Sequence, residues 1–143
     1  MKKSQRMNTI VKLAKNREHD AVAMLNRSRQ ELEEREDQLQ ELQQYQHDYM
    51  RRLESLGGSG ADIGKINEYR RFINQLSGAI TLQQQLIEES RQELAIKNQS
   101  WHEARLDSRV LGNYQLRCKT QEYQMLLKQE QKESDEKAQH IKS

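Results

Sequence analysis

The chain has 143 residues, of which 34% are hydrophobic and 32% charged, and its formal net charge is +2. With a mean hydropathy of -1.14, it has too few apolar side chains for a compact core, and its near-neutral balance excludes a strong pull toward nucleic acid or an anionic membrane. Proline is absent, although average usage would give roughly seven, so the polarity reflects long helices with a narrow apolar seam and not disorder.

The first predicted helix keeps strict 4-3 spacing from Met7 to Leu56. One seam position reads Val11, Glu18, Leu25, Leu32, Leu39, Gln46 and Leu53. The other reads Met7, Ala14, Ala21, Ser28, Arg35, Leu42, Tyr49 and Leu56. A sustained seven-residue repeat implies a left-handed supercoil with a partner helix, here roughly 75 Å long. Lys2, Lys3, Arg6, Lys12, Lys15 and Arg17 make the start of this helix basic, and Glu31 to Asp37 is an acidic, solvated face.

Gly57, Gly58, Ser59 and Gly60 break the pattern, because glycine disfavours helix and accepts turn dihedrals. Asp62 is placed to cap the second helix. The second run passes through Ile66, Tyr69, Ile73, Leu76, Ile80, Gln83, Ile87, Ser90, Leu94, Lys97, Trp101, Ala104, Ser108 and Leu111, then weakens toward Cys118 and Met125. The spacing predicts an all-α chain: an antiparallel coiled-coil hairpin forming one domain over 1–143. Its first helix spans about 5–56, its turn 57–64 and its longer second helix about 65–136, with a frayed tail beyond.

The heptad phases restrict the register. With Leu56 facing Ile66, Leu53 meets Tyr69, Tyr49 meets Ile73, Leu42 meets Ile80, and small Ala21 meets large Trp101. Glu18, Arg35, Gln46, Gln83 and Lys97 interrupt the seam. Such residues either fix register or let their stems snorkel out of a thin seam; the second reading is preferred, and no chemistry is assigned to them. Met7 faces Gln115, so the next twenty or so helical residues lack a partner. They carry Leu116, Cys118, Tyr123, Met125, Leu126 and Leu127, an apolar set that reads as a docking surface up to Lys128 and a frayed tail after it.

No residue pattern points to catalysis, a cofactor or a metal. His19, His47, His102 and His140 form no ligand pair, and lone Cys118 has no partner of a nucleophile and suits a reducing cytoplasm. Residues 57–64 lack the Gly-Lys-Ser/Thr ending of a phosphate loop. No stretch resembles a signal peptide or a membrane span, so a cytoplasmic protein without direct membrane insertion is expected. The scarce aromatics gather near the turn instead. Tyr45 and Tyr49 fall level with Phe72 and Leu76, and the stripe extends through Leu42 and Ala79 to Gln38 and Gln83. Aromatics on a charged helix pair are hot-spot candidates for a protein partner, or plugs for the seam where it meets the turn.

Gln43-Gln44-Tyr45-Gln46-His47-Asp48-Tyr49, then Asn67-Glu68-Tyr69-Arg70-Arg71-Phe72-Ile73-Asn74-Gln75-Leu76, then Trp101 with Arg105, carry a resemblance. Together with the glycine turn and the basic N-terminus, they resemble the FliJ family of the flagellar type III export apparatus over essentially the whole chain. The resemblance implies a cytoplasmic stalk, peripheral to the inner-membrane export apparatus. Its shape would be similar to the coiled-coil rotor of rotary ATPases. Partners so implied are the hexameric flagellar export ATPase, the cytoplasmic domain of the membrane export gate, and export chaperones. The gate surface carried over is Gln38, Leu42, Tyr45, Tyr49, Phe72, Leu76, Ala79 and Gln83. The ATPase contact falls on the N-terminal turns and the overhang, with Met7, Val11, Leu116, Tyr123, Met125, Leu126 and Leu127 as its residues. Alternatives are the equivalent stalk of a virulence secretion system, a generic coiled-coil spacer formed by two chains, and a nucleic-acid-binding arm. The last conflicts with the interleaved acids.

Overall fold

The computed structural model describes residues 2–58, 60 and 62–142. Two long helices make up the fold, α1 (Lys3–Gly58, 56 residues) and α2 (Ile63–Lys142, 80 residues). They pack against each other, the second is the longer, and no strand occurs among the described residues. Both helices reach further than the heptad pattern indicates. Gly57 and Gly58 complete the last turn of α1, and the connection contracts to the residues between Gly58 and Ile63. Within it, Gly60 has φ 71°, a left-handed conformation open to glycine without steric cost. Ser59 and Ala61, which the sequence assigns to the turn, lie outside the described residues.

Asp62 caps α2. Its Oδ1 accepts from the Gly64 amide at 3.2 Å, and its carbonyl accepts the first helical bond from the Ile66 amide at 3.2 Å. This satisfies one of the amides that every helix start leaves unpaired. At the other end, Gln129 to Lys142 is helical, where the sequence suggests fraying. The segment has no glycine or proline, Gln131 bonds Asp135 one turn on at 3.1 Å, and His140 and Lys142 oppose the negative end of the helix dipole.

The chain divides into two compact units. The turn unit is Ala23–Asn98, and the terminal unit is Met1–Val22 with Gln99–Ser143. In the turn unit, Leu25, Ile73, Leu76 and Ile87 form the buried apolar core. Every seam position expected from the first run is buried or half-buried, and none is exposed. The helices run antiparallel here in the register that the heptad phases require. Arg35 Nη1 donates to the Leu86 carbonyl at 2.9 Å and to Ser90 Oγ at 2.6 Å, bracketing Ile87. Gln46 Nε2 donates to the Ile73 carbonyl at 3.2 Å and Ser77 Oγ at 2.6 Å, bracketing Leu76. Gln83 Nε2 donates to the Arg35 carbonyl at 2.9 Å and to Gln38 Oε1 at 3.2 Å.

These bonds correct the snorkelling reading for three of the five polar seam residues. The register information lies in the side-chain acceptors, Ser90, Ser77 and Gln38, because a one-heptad slip would offer an equivalent backbone carbonyl but a different side chain. Lys97 does turn outward, to Glu93 on its own helix at 3.6 Å.

In the terminal unit the buried seam is made of smaller side chains: Ser4, Val11, Ala14, Ser108 and Cys118. Gln115 Nε2 donates to the Ser4 carbonyl at 3.0 Å and to Asn8 Oδ1, bracketing Met7 as the register requires. Pairing then continues past Gln115, where the sequence places the start of the overhang. Cys118 is buried, and Glu122 accepts from the Ser4 amide at 3.1 Å and the Ser4 hydroxyl at 2.6 Å. The physical reason is the early start of α1 at Lys3, which places small Ser4 opposite Cys118 and an unpaired helix-start amide beside Glu122. The uncovered stretch of α2 therefore begins at Tyr123.

Candidate partner-binding surfaces

With the seam positions lettered a (Val11, Ile73 and their repeats) and d (Met7, Leu76 and their repeats), the predicted gate stripe sorts cleanly. Gln38, Tyr45, Phe72 and Ala79 stand at g positions; Leu42, Tyr49, Leu76 and Gln83 stand at d positions. Flanks of the same letter meet across an antiparallel pair, so the eight residues share one side of the turn unit. Their exposures divide accordingly. Tyr45 is 58% exposed and Phe72 38%, and Gln38 is exposed, whereas Leu76 is 8% and Gln83 9% exposed. Leu42, Tyr49 and Ala79 are half-buried. The open surface is Gln38, Tyr45 and Phe72 of the g row, and the d row with half-buried Ala79 supports it from below.

Tyr49 organises the aromatic end of this row. Its ring lies 4.5 Å from Phe72 and 5.6 Å from Tyr69, both tilted by 51°, and the Arg52 guanidinium sits 5.1 Å over it. Tilted aromatic pairs contribute about 0.5–1.5 kcal/mol beyond burial, so Phe72 is held while much of its ring stays open. Tyr49, Tyr69 and Phe72 line a shallow groove of about 340 Å³ with Lys65 and Glu68. Tyr45 borders a second groove with Glu41, Gln44 and Asp48.

In the terminal unit, the residues assigned to the ATPase contact fall into two groups. Val11 is 7% exposed and Met7 half-buried, so both belong to the seam. Leu116, Tyr123, Met125, Leu126 and Leu127 are all open, with Met125 reaching 70%. The structure also shows a groove of about 430 Å³ at the g side, lined by Ala14, Arg17, Ser100, Glu103, Ala104, Asp107, Val110 and Leu111. It lies beside small seam residues, Ala14 and Ala104, and the heptad pattern alone does not reveal it. Its signal in the sequence is the apolar side chain of Val110 at a c position, off the seam.

Two titratable groups are perturbed where the start of α1 meets α2. The Ser4 hydroxyl and amide bonds hold the Glu122 carboxyl below its usual range. A hydrogen bond with Tyr114 holds Lys3 above the ordinary lysine range, and its ammonium sits 5.6 Å over the Tyr114 ring. Arg105 lies 5.4 Å over the half-buried Trp101 ring, whose indole N–H has no hydrogen-bond partner among the described residues. Among the described residues no group of three or more His, Cys, Asp or Glu could hold a metal, and no helix is long and apolar enough to cross a membrane.

The family model described as "Flagellar FliJ protein" matches residues 2–142. The "Flagellar FliJ protein" of Escherichia coli (strain K12) is 30% identical over 131 residues, covering 92% of this chain and 89% of that protein. No solved structure matches the chain. A seven-residue seam alone would not single out a family, but a match across both helices, the turn and the aromatic stripe does: the chain belongs to the flagellar FliJ protein family.

Proposed function

We propose that the chain is a non-enzymatic component of the flagellar type III export apparatus that works as a stalk-like coiled coil. In this reading the terminal unit docks into the hexameric export ATPase, and the g-side stripe of the turn unit contacts the cytoplasmic domain of the export gate. Export chaperones are further partners. The protein acts in the cytoplasm, held at the inner-membrane export apparatus by these contacts and not by insertion.

The observation that carries the reading is that two sets stand out among the exposed apolar side chains, one by its aromatic rings and one by its lack of a facing helix. One is Tyr45 with Phe72 in the turn unit, and the other is Tyr123, Met125, Leu126 and Leu127 beyond the last paired residue. Large apolar side chains left open in clusters on a helix mark protein interfaces, and aromatics dominate their energetics. Exposed, polar-edged patches favour exchange over permanent assembly. Two such sets allow one chain to couple ring assembly or ATP turnover to a gate without chemistry of its own.

The test is sedimentation with the purified flagellar export ATPase, comparing the full chain with one ending at Glu122. That end point keeps the Ser4–Glu122 clasp and removes only the uncovered helix. The reading predicts co-sedimentation of the full chain and its loss on truncation. Equal binding of both forms would remove the overhang from the contact.

A further inference from the structure

The near-neutral net charge hides a one-sided distribution in the paired part of the terminal unit, residues 2–22 and 99–123. Around each helix the heptad letters run a, e, b, f, c, g, d, so e, b and f form one continuous face and c with g another. Two observations fix which residues of α1 and α2 share a side. Arg17, Ser100 and Asp107, all g, line one groove, and Lys3 lies over Tyr114, also g to g. The e, b and f positions of the two helices therefore lie together on the opposite side.

That side carries Lys12 and Lys15 from α1 and Arg105, Arg109 and Lys119 from α2, all exposed. No Asp or Glu occupies an e, b or f position between residues 2 and 22 or between 99 and 123. The acids of these stretches stand elsewhere: Asp20, Glu103 and Asp107 on the c and g face, Glu18 and Glu122 in the seam. The turn unit is the internal control. Its e, b and f positions carry Glu33, Glu36, Asp37, Glu54 and Glu88 interleaved with arginines, and Glu36 pairs with Arg91 across the helices at 3.8 Å.

Apolar side chains are interspersed with the cations of the terminal unit. Leu106, Leu116 and Tyr123 are each about 60% exposed, and His102, Arg105, Leu106 and Arg109 line a common depression. A run of cations on one helical face, with leucines and a tyrosine between them and no acid, matches the chemistry of an anionic bilayer surface: phosphate headgroups for the cations, the acyl boundary for the apolar residues. Duplex nucleic acid has the same charge but no place for exposed leucines.

We infer that the Lys12–Lys15–Arg105–Arg109–Lys119 face of the terminal unit is a peripheral docking surface for an anionic lipid bilayer. It is separate from the proposed gate contact but shares Leu116 and Tyr123 with the proposed ATPase surface. Bilayer and ATPase then compete for the terminal unit.

The test is co-sedimentation of the full chain with phosphatidylcholine vesicles, with and without one quarter phosphatidylglycerol, at low and high salt. Binding is expected only with phosphatidylglycerol and only at low salt. The triple change Arg105→Gln, Arg109→Gln and Lys119→Gln should weaken it by roughly a hundredfold, at about fivefold per cation removed. Arg29→Gln, Arg51→Gln and Arg71→Gln alter net charge equally in the turn unit and should leave binding near the full-chain value. Circular dichroism checks that both variants stay helical. Equal loss in the two variants would overturn the inference in favour of net charge alone, as would equal binding to uncharged vesicles or no binding at low salt. Tighter capture of a duplex DNA fragment than of vesicles by the same residues would overturn it in favour of nucleic acid.

Discussion

The turn unit and the terminal unit are built from the same heptad repeat and solve the problem of a thin seam differently. The turn unit buries Leu25, Ile73, Leu76 and Ile87 alongside small Ser28 and Ser90, and ties its helices together through Arg35, Gln46 and Gln83. The terminal unit buries Val11, Ala14, Ser108 and Cys118, and secures the start of α1 with Gln115 and Glu122. One unit is stabilised by apolar volume with polar register locks. The other combines small side chains with a polar clasp at its end. A uniform repeat therefore does not imply uniform stability, and the weaker seam coincides with the end carrying the uncovered helix.

The largest expected effect falls on the turn unit. Leu25→Ala removes one of the most buried apolar side chains of the seam and should cost about 2–4 kcal/mol, read from urea unfolding followed by circular dichroism. Val11→Ala in the terminal unit should cost about half as much, since fewer buried atoms are removed; equal costs would mean that the two seams are alike.

A smaller effect separates register from stability. Arg35→Ala forfeits the bonds to Leu86 and Ser90 and should cost about 1–2 kcal/mol. Arg35→Leu with Gln83→Leu should keep or raise the melting temperature while admitting alternative registers. Spin-label distances across the helices would then broaden; a single sharp distance would show that these residues are not the lock.

The smallest effect concerns the clasp. The lowered Glu122 carboxyl stabilises the folded state above the ordinary glutamate range, and that contribution is lost as pH falls through its depressed folded value. Glu122→Gln should speed amide hydrogen exchange at Ser4 near neutral pH. The two proteins should converge in strongly acidic solution, and a difference persisting there would assign the effect to something other than the carboxylate.

Much of the fold was legible in the sequence because a period of seven admits few arrangements. The heptad letters placed every expected α1 seam residue away from solvent, and the glycines with Asp62 located the turn. The register came from refusing to strand Leu56 in the turn or to draw the glycines into helix. What was not legible depended on side-chain reach. Arg35, Gln46 and Gln83 look alike whether they snorkel or bond across, and only the nearby Ser90, Ser77 and Gln38 decide it. The clasp was missed because Ser4 precedes the first recognised seam residue, and its value lies in a backbone amide that no residue pattern displays. For the aromatic stripe, the heptad letters already separate flanking g positions from seam d positions, and burial adds that Gln38, Tyr45 and Phe72 stand open while Ala79 is half-buried.

Two separate docking surfaces on one chain can be tested in a single two-by-two binding measurement. The purified export ATPase and the cytoplasmic domain of the export gate are each titrated against two variants. One is the chain ending at Glu122; the other carries Tyr45→Ala and Phe72→Ala, whose exposed rings can be removed without opening the seam. A crossed pattern is expected: truncation abolishes ATPase binding and spares the gate, and the double variant weakens gate binding at least tenfold while sparing the ATPase. Loss of both partners in either variant, or of neither in both, would contradict the two-surface reading.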